Sequence, residues 1–349
     1  MKFSCIVSIM SVSIRDVAQL AGVSLGTVSN AINRPEILAP ATLKKVQAAI
    51  GDLGFVPNAS ARTLRAGKTR VLGLVVPDIS NPFFTDVSKG ANDAALAAGY
   101  VVILCNTDAS SEKEDQYLAV LSSQNVRGIL ITPSRDTKKS LNFISERGIA
   151  IVLVDRESQG SEVCSVAVND SMGGSLALNH LWELGHRKIL LLTGAANIPQ
   201  VAHRDEGVKT AIAEKKKSDR PELQILRVDQ MAAAATAEAL NKYVIENGSN
   251  FTAIICGNDL MAFGAIRALR IHGLETPTNV SIVGYDDIDF AANANIPLIS
   301  IAQPKYQLGY AAAELVIDEC KNPETHVHQR IYFQPQLVVR NSTRSILND

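Results

Sequence analysis

The sequence is poor in cysteine, and the few cysteines it has argue against a disulfide-stabilised fold. They are odd in number and widely spaced, and no two of them form a CxxC motif: Cys5, Cys105, Cys164, Cys256 and Cys320. Such a pattern favours buried free thiols over a disulfide framework. Because thiols persist in a reducing compartment, we expect a cytoplasmic protein.

Long apolar runs are absent too. No stretch approaches the roughly 20 apolar residues that a membrane-spanning helix needs, so we expect no membrane partner. Residues 1–12 contain a short apolar run broken by serines, and no small-residue cleavage site follows it. This argues against a signal peptide. We predict a disordered tail there, with either Met1 or Met10 as the true start.

Signatures of catalysis and metal binding are equally scarce. The sequence has no GxSxG motif and no GxGxxG motif after a strand. Gly67-Lys68-Thr69 ends like a phosphate-binding loop, but Arg62 stands where that loop needs glycine, and a strand follows instead of preceding it. His326 and His328 offer two metal-type ligands without an evident third, so an exposed turn is the favoured interpretation. We therefore expect no catalytic residue, no metal and no cofactor.

The net charge of −1 hides an uneven distribution. Residues 1–70 hold nine Lys and Arg against three Asp and Glu, a net charge of +6, which leaves −7 for the other 279 residues. A basic N-terminal module attached to an acidic body is typical of a polyanion-binding protein with a separate regulatory part.

Residues 13–57 predict a small all-α module of three helices. A capping box starts the first helix at Ser13, Gly22 ends it, and Ser24 caps the second helix after a tight turn. Two short helices joined in this way are typical of a helix-turn-helix. The third helix is predicted to start at Pro40, which suits a first helical position.

The second of these helices has one face without any charge. Val28, Ala31 and Ile32 share the face that can pack. The opposite face carries only small or uncharged side chains: Leu25, Gly26, Thr27, Ser29 and Asn30. Exposed helix faces ordinarily carry charged residues that keep a protein soluble. A face without them indicates a binding function.

From Val71 onward, short β-branched strands alternate with helix-length segments. VLGLVV, YVVILC, GILIT and IAIVLV form a first group, and KILLLTG, LQILRV, TAIICGN and VSIVGYDD form a second. Continuous apolar strands alternating with helices indicate parallel sheets covered on both faces. The fold class is therefore α/β, with two doubly wound parallel-sheet subdomains. LISIAQP and IYFQPQLVV come last and are predicted to return the chain between the halves.

Polar residues follow many of these strands, where doubly wound folds bind ligands. The set is Asp78 with Asn81, Asn106, Ser134, Asp155-Arg156, Gly257-Asn258-Asp259, Tyr285-Asp286-Asp287 and Gln303. Any one of them alone is more simply a helix cap or turn residue. Together they favour a cleft for a small polyhydroxylated or heterocyclic ligand, with Phe83 and Phe84 as an aromatic wall.

Several segments resemble the LacI/GalR family of bacterial transcription regulators. They are IRDVAQLAGVSLGTVSNAIN, LGFVPN, ASARTLRAGKT, VLGLVVPDISNPFF, VLVDRE, LWELGHRKILLLTG, ICGNDLMAFGAIRAL and VSIVGYDD, in family order to about residue 340. The resemblance implies a helix-turn-helix headpiece at 13–57, a hinge helix and linker at 58–70, and a two-lobed effector-binding and dimerisation domain at 71–344. That domain resembles periplasmic sugar-binding proteins.

The resemblance also implies which residues contact DNA. The helix after Ser24 would lie in the major groove and select bases through Leu25, Gly26 and Asn30, with Thr27, Ser29 and Asn33 on phosphates or nearby base edges. Ser24 and, in the hinge, Asn58 also belong to the DNA-binding set, and Ala61 is small enough for two hinge helices to approach. Leu64 matches the leucine that wedges into the minor groove and bends the duplex.

Ligand contacts and oligomeric state follow from the same resemblance. The family's effector positions fall on Phe83, Phe84, Ser134, Asp155, Arg204, Asn258, Asp286 and Gln303. Two departures stand out: Asn30 replaces the commonest Arg of this helix, and Ala39 stands where the third helix usually has a capping Ser. No leucine heptad tail follows RNSTRSILND, which favours a homodimer over a tetramer.

We therefore expect a ligand-responsive transcription regulator, a repressor that binds a palindromic DNA operator as a homodimer and senses a small molecule, in first place a sugar or sugar derivative. A nucleoside- or purine-sensing regulator is one alternative. A solute-binding protein of a transport system is another, against which the basic headpiece counts. A cytosolic sugar enzyme would need a nucleophile or base constellation that the sequence does not show. The effector, its sign of action and the operator sequence stay open.

Overall fold

The computed structural model describes residues 12–55, 69–134, 138–158, 160 and 162–347. The chain divides into two compact units, residues 1–68 and 69–349, which are described separately. Within the described residues, no helix combines the length and the apolar character that crossing a membrane requires.

The first unit contains the three expected helices and one short 3-10 turn. They are α1 (Ile14–Ala21), α2 (Leu25–Asn33), the 3-10 turn Pro35–Ile37, and α3 (Pro40–Leu53). The Asp16 carboxylate accepts hydrogen bonds from both N and Oγ of Ser13, at 2.8 and 2.7 Å. Gly22 follows α1 with φ of 63°, a left-handed conformation that glycine adopts without Cβ strain. The sequence-based placement of all three helices is confirmed.

Five apolar side chains form the core of this headpiece: Val17, Ala18, Val28, Val46 and Ala49. They come from all three helices, so each helix buries one stripe and leaves its other side to solvent. Val28 turns inward and is fully buried. The uncharged side of α2 consequently faces outward.

The N-terminus of α3 lacks a side-chain cap, because Ala39 occupies the N-cap position with extended backbone. Replacing Ala39 with Ser supplies an oxygen acceptor for the free N–H groups of the first turn. We expect Ala39→Ser to raise the free energy of headpiece unfolding by about 0.5–1 kcal/mol. Native-state hydrogen exchange of α3 amides is the measurement, and unchanged or faster exchange would contradict the expectation.

The second unit begins with a six-stranded sheet in the order β11-β5-β4-β3-β1-β2, with all neighbouring strands parallel. We call this sheet and its helices the N-lobe. The strands are β1 (Val71–Val76), β2 (Val101–Asn106), β3 (Gly128–Ile131), β4 (Ala150–Val154), β5 (Cys164–Val168) and β11 (Arg330–Phe333). The helices are α4 (Pro82–Ala97), α5 (Ser111–Ser123), α6 (Lys138–Ser145) and α12 (Lys305–Lys321). Separate apolar clusters cover the two faces of the sheet.

The C-lobe repeats this plan with strand order β12-β10-β9-β8-β6-β7, and only β12 runs antiparallel to its neighbour. Its strands are β6 (Lys188–Thr193), β7 (Glu222–Arg227), β8 (Ala253–Cys256), β9 (Ser281–Asp286), β10 (Ile299–Ala302) and β12 (Gln336–Val338). Its helices are α7 (Asp170–Glu183), α8 (Pro199–Glu214), α9 (Ala233–Asn247), α10 (Asp259–Ile271) and α11 (Asp289–Asn293), with a 3-10 turn at Lys217–Asp219. The predicted pair of doubly wound subdomains is confirmed.

The chain passes between the lobes three times. The first passage lies between β5 and α7, the second between β10 and α12, and the third between β11 and β12. At the first and third passages, the Asn169 side chain donates to Gln334 Oε1 at 3.1 Å, and Asn169 N donates to Phe333 O at 2.9 Å. The segment IYFQPQLVV thus passes between the halves, as predicted, and it also places one short strand in each lobe.

Two expectations about this unit need correction. The strand Cys164–Val168 was absent from the sequence-based assignment, because its CSVAV stretch is short and carries a serine. The segment with His326 and His328 is not simply an exposed turn: the His326 side chain is 1 % exposed and packs beside Cys164. The four described cysteines are buried and form no disulfide with one another, as expected.

Candidate effector cleft and nucleic-acid-binding helix

A cavity of about 490 Å³ opens between the lobes at the carboxyl ends of their strands. The order of each sheet reverses next to its first strand, between β1 and β3 in one lobe and between β6 and β8 in the other. Doubly wound sheets leave a crevice at such points. The described lining residues lie at or after the carboxyl ends of β1, β2, β3 and β4 in one lobe and of β6, β7, β8 and β9 in the other. Both switch points therefore face the same space.

The N-lobe contributes an aromatic wall. Phe83 and Phe84 open α4, and their rings meet edge to face with centroids 4.9 Å apart. The side chain of Asn81 accepts from Phe83 N at 3.0 Å, which caps α4 at the turn that carries both rings. The Asn81 amide also donates to Asp286 Oδ2 of the C-lobe at 3.3 Å. One side chain therefore links the wall to the opposite lobe.

Arg204 is the cation among the described lining residues, and the C-lobe holds it rigidly. Its Nε donates to Asp170 Oδ1 at 2.7 Å, and its Nη1 donates to Gly257 O at 2.8 Å. The guanidinium lies 3.8 Å from the centre of the Tyr285 ring. A Cβ at Gly174 would collide with the Arg204 carbonyl, so the close crossing of α7 and α8 requires glycine. Arg204 is thus preorganised by a charge pair, a carbonyl and an aromatic face.

Two buried aspartates complete the polar surface. Burial raises the pKa of the Asp155 carboxyl well above its ordinary value, and the charge of Asp170 nearby adds to the rise. Burial likewise raises the pKa of Asp286, and Arg204 opposes that rise. Asp155 Oδ1 is buried without a hydrogen-bond partner among the described residues. An unpaired buried oxygen is costly, so a ligand hydroxyl there would satisfy it.

We expect the raised pKa of Asp155 to make the effector-free protein less stable as pH increases. The folded state keeps its proton above pH 3.8, the ordinary pKa, where the unfolded state releases it. The folded state therefore binds more protons, and the free energy of unfolding falls as pH rises from about 4 toward the raised pKa. Urea denaturation across that range should show a shallower fall for Asp155→Asn. A wild-type slope in the variant would contradict this assignment.

The remaining predicted cleft residues divide into lining and supporting positions. Ser134 lines the cavity, and its N and Oγ both donate to Glu114 Oε2 at 2.7 and 2.8 Å. Asn258 lines it too while capping α10 through Met261 N at 2.8 Å. Gln303 is not among the described residues that line the cavity, and its Nε2 donates to Asp286 Oδ1 at 2.7 Å. Its predicted ligand contact would therefore be indirect, through Asp286.

Asp170 and Gln200 were not identified from sequence, and Tyr285 appeared there only as one member of the strand-end set. Asp170 and Tyr285 hold Arg204, and the Tyr285 hydroxyl donates to Asp170 Oδ1 at 3.0 Å. Gln200 bridges the lobes by donating to the main-chain oxygen of Asp155. Asp170 lies two residues after the end of the strand Cys164–Val168, so recognising that strand would have placed Asp170 among the strand-end residues.

In the other unit, α2 presents the predicted DNA-contacting side. Ser24 Oγ accepts from Thr27 N at 3.1 Å, which confirms the cap. Asn33 Nδ2 donates to Ser29 O at 2.8 Å. Leu25 is 46 % exposed, although leucine is ordinarily buried. This side therefore offers hydroxyl, amide and apolar groups without charge. Asn58, Ala61 and Leu64 lie outside the described residues.

Comparison with known families covers both units. Residues 13–58 match the model of bacterial regulatory proteins of the lacI family. Residues 69–338 match the model of periplasmic binding proteins and the sugar-binding domain of the LacI family. The chain belongs to the LacI family of bacterial regulators. Its class is thus that of transcription regulators with a ligand-binding domain, and the resemblance drawn from sequence is confirmed.

Individual relatives match between 79 % and 95 % of the chain. The HTH-type transcriptional repressor PurR of Aliivibrio fischeri (strain MJ11) is 35 % identical over 334 residues, which are 95 % of this chain and 98 % of that protein. The transcriptional regulator CelR, solved with cellobiose, is 27 % identical with a TM-score of 0.69, over 95 % of this chain and 99 % of that one. A LacI-family regulator from Enterococcus faecium with bound ribose is 29 % identical with a TM-score of 0.71, over 79 % and 99 %.

Proposed function

We propose that this LacI-family regulator is a cytoplasmic repressor that binds a palindromic operator as a homodimer and responds to a neutral sugar in the interlobe cleft. It acts by binding and performs no catalysis. The observation that carries the proposal is a preorganised polar cavity between two lobes in a chain that also holds a helix-turn-helix. The alternative of a transport solute-binding protein leaves this headpiece without a function.

The DNA-binding half of the proposal rests on charge and exposure. Small uncharged side chains on α2 suit base edges in the major groove, whereas nearby exposed cations hold phosphates. Arg15, Lys44 and Lys45 are exposed residues of this kind. A two-fold symmetric dimer would place its two α2 helices on two symmetry-related half-sites of the DNA. The operator is therefore expected to be palindromic. The minor-groove roles of Ala61 and Leu64 stay predictions.

The charge of the cavity lining favours a neutral ligand over an anionic one. Among the described lining residues, five aspartates face one arginine, and that arginine is already paired with Asp170. Even where Asp155 keeps its proton, four aspartates remain against the one arginine, so a phosphate or carboxylate would meet mostly acceptor oxygens of its own sign. Sugar hydroxyls, in contrast, donate to such oxygens. The face of a sugar ring can in turn pack on Phe83 and Phe84. We therefore favour neutral monosaccharides or disaccharides over sugar phosphates and nucleotides.

A matched ligand panel tests this. We expect calorimetry to detect at least one neutral sugar and to find its phosphorylated counterpart about tenfold weaker or worse. Ribose with ribose 5-phosphate and glucose with glucose 6-phosphate are suitable pairs. The bound sugar should also change operator affinity in a mobility-shift assay. Tighter binding of the phosphates, or sugar binding without any effect on DNA, would contradict the proposal.

A nucleobase or nucleoside is the second candidate. The edge-to-face pair of Phe83 and Phe84 is the observation that favours it, because an aromatic wall also stacks on a planar base. Adenine, guanine, hypoxanthine and their nucleosides therefore belong in the same panel. Their binding in place of sugars would keep the regulator assignment and change the effector class.

A further inference from the structure

The N-lobe holds a cluster of four metal-type ligands well away from the effector cleft. Cys164 begins β5, Glu319 lies in the last turn of α12, and His326 and His328 lie in the segment that leads into β11. The strands of this lobe run parallel, and the cleft lies at their carboxyl ends. The cluster is at the opposite, amino ends of β5 and β11.

The spacing of these atoms suits one small cation. All four ligand atoms lie within 4.8 Å of one another. Cys164 Sγ is 3.2 Å from His326 Nε2 and 3.8 Å from His328 Nδ1, and His326 Nε2 is 3.9 Å from Glu319 Oε2. A tetrahedron with metal–sulfur bonds of about 2.3 Å and metal–nitrogen bonds of about 2.0–2.1 Å has edges of about 3.3–3.6 Å. The three separations of 3.2, 3.8 and 3.9 Å lie within about 0.3 Å of this range. A pair near the 4.8 Å limit would contract by roughly 1 Å when the ion binds.

Neighbouring groups orient the two most buried ligands. His326 Nδ1 donates to Asp318 Oδ2 at 2.6 Å, which leaves the Nε2 lone pair directed at the cluster. Asn322 in turn donates to Asp318 Oδ1 at 2.8 Å. A carboxylate that fixes a histidine tautomer in this way is a recurrent feature of zinc sites. The N–H of Gln329 donates to Cys164 Sγ at 3.2 Å, which suits a thiolate.

The Glu319 carboxylate supplies a further ligand of the cluster. Glu319 Oε2 is buried and makes no hydrogen bond to the described residues. It points toward the histidine pair, and a cation would satisfy it. His328 is exposed, so it offers a path by which an ion enters from solvent.

We propose that Cys164, Glu319, His326 and His328 bind one Zn²⁺ per chain. One sulfur, two imidazoles and one carboxylate form a mixed donor set that suits a tetrahedral divalent transition metal better than Mg²⁺ or Ca²⁺, which prefer oxygen. The ion would fasten the end of α12 and the segment before β11 to β5. It serves structure or sensing and does not depend on the identity of the effector.

Cobalt substitution tests the proposal on the full-length protein after chelator treatment. We expect one Co²⁺ per chain with a thiolate charge-transfer band and strong visible bands of tetrahedral cobalt, both lost when Zn²⁺ displaces it. Cys164→Ser should remove the charge-transfer band. Cys105→Ser, which alters another buried thiol of the same lobe, should keep it.

Two further variants keep the test independent of folding at the buried cysteine. His328→Ala changes an exposed side chain and should weaken Zn²⁺ binding, whereas His203→Ala, also exposed, should not. Asp318→Asn leaves every ligand in place and should lower zinc affinity about tenfold to a hundredfold. Absence of the cobalt bands in the folded wild type, or equal zinc binding by wild type, Cys164→Ser and His328→Ala, would overturn the proposal.

Discussion

Replacing Gly26 with glutamate is expected to abolish specific operator binding, with affinity lowered about a hundredfold or more. Gly26 lies in the first turn of α2, and an added Cβ would meet no atom closer than Ser24 Oγ at 3.6 Å. The headpiece should therefore still fold, and an acidic residue near a helix N-terminus is favourable. A carboxylate facing DNA would instead meet phosphates and base acceptors, which costs several kcal/mol.

Gly51→Glu is the matched control for this change. Gly51 lies on α3 of the same headpiece with open space around its Cβ position. It adds the same charge and therefore should weaken all DNA binding only modestly, in a salt-dependent way. Mobility shifts on the operator and on unrelated DNA separate the two effects. Equal losses in both variants would mean that α2 does not read the operator.

Asp286→Asn is expected to lower effector affinity about tenfold to a hundredfold and to leave effector-free operator binding unchanged. Asp286 lines the cavity, and its carboxylate oxygens accept from Asn81 and Gln303, which hold the group in place. Asparagine keeps the shape of the side chain but replaces one acceptor oxygen with a donor NH₂ group. That group would face the donor amide of Asn81 or Gln303, and it could not accept from a ligand hydroxyl. Loss of a hydrogen bond to a charged group costs about 1.5–3 kcal/mol.

Calorimetry with the best sugar of the panel measures this effect. Asp289→Asn, an exposed position three residues further on, provides a control that should bind like wild type. If Asp286→Asn also retained wild-type affinity, Asp286 would be a structural link between the lobes and not a ligand contact.

Local signals in the sequence were sufficient for most of the fold. Ser24 and Gly22 define helix ends through hydrogen bonds and backbone conformation within a few residues, and the apolar strands need no distant information. The strand Cys164–Val168 was missed because five residues with one serine carry a weak pattern. Its position is decided by pairing with β4 and β11.

The site was only partly accessible to the same reasoning. Strand ends and the family resemblance together pointed to residues that the structure brings to one cavity, such as Arg204 and Asp155. The support of Arg204 depends on distant contacts. Arg204 is 34 residues from Asp170 in sequence, and Asp170 is 115 residues from Tyr285. Cys164 is more than 160 residues from His326 and His328 in sequence, so no local sequence pattern predicts that they lie together.

The three passages between the lobes restrict how the cleft is able to move. Each passage is short: one residue separates β5 from α7, and two residues separate both β10 from α12 and β11 from β12. Linkers of that length tether the lobes too closely to let them slide or separate, so the remaining freedom is rotation about the line that the passages define. Gln303 lies in the second passage and is hydrogen-bonded to Asp286. A ligand that displaces Asp286 therefore acts close to the rotation axis. A small displacement there corresponds to a large movement at the ends of both lobes that lie far from the axis.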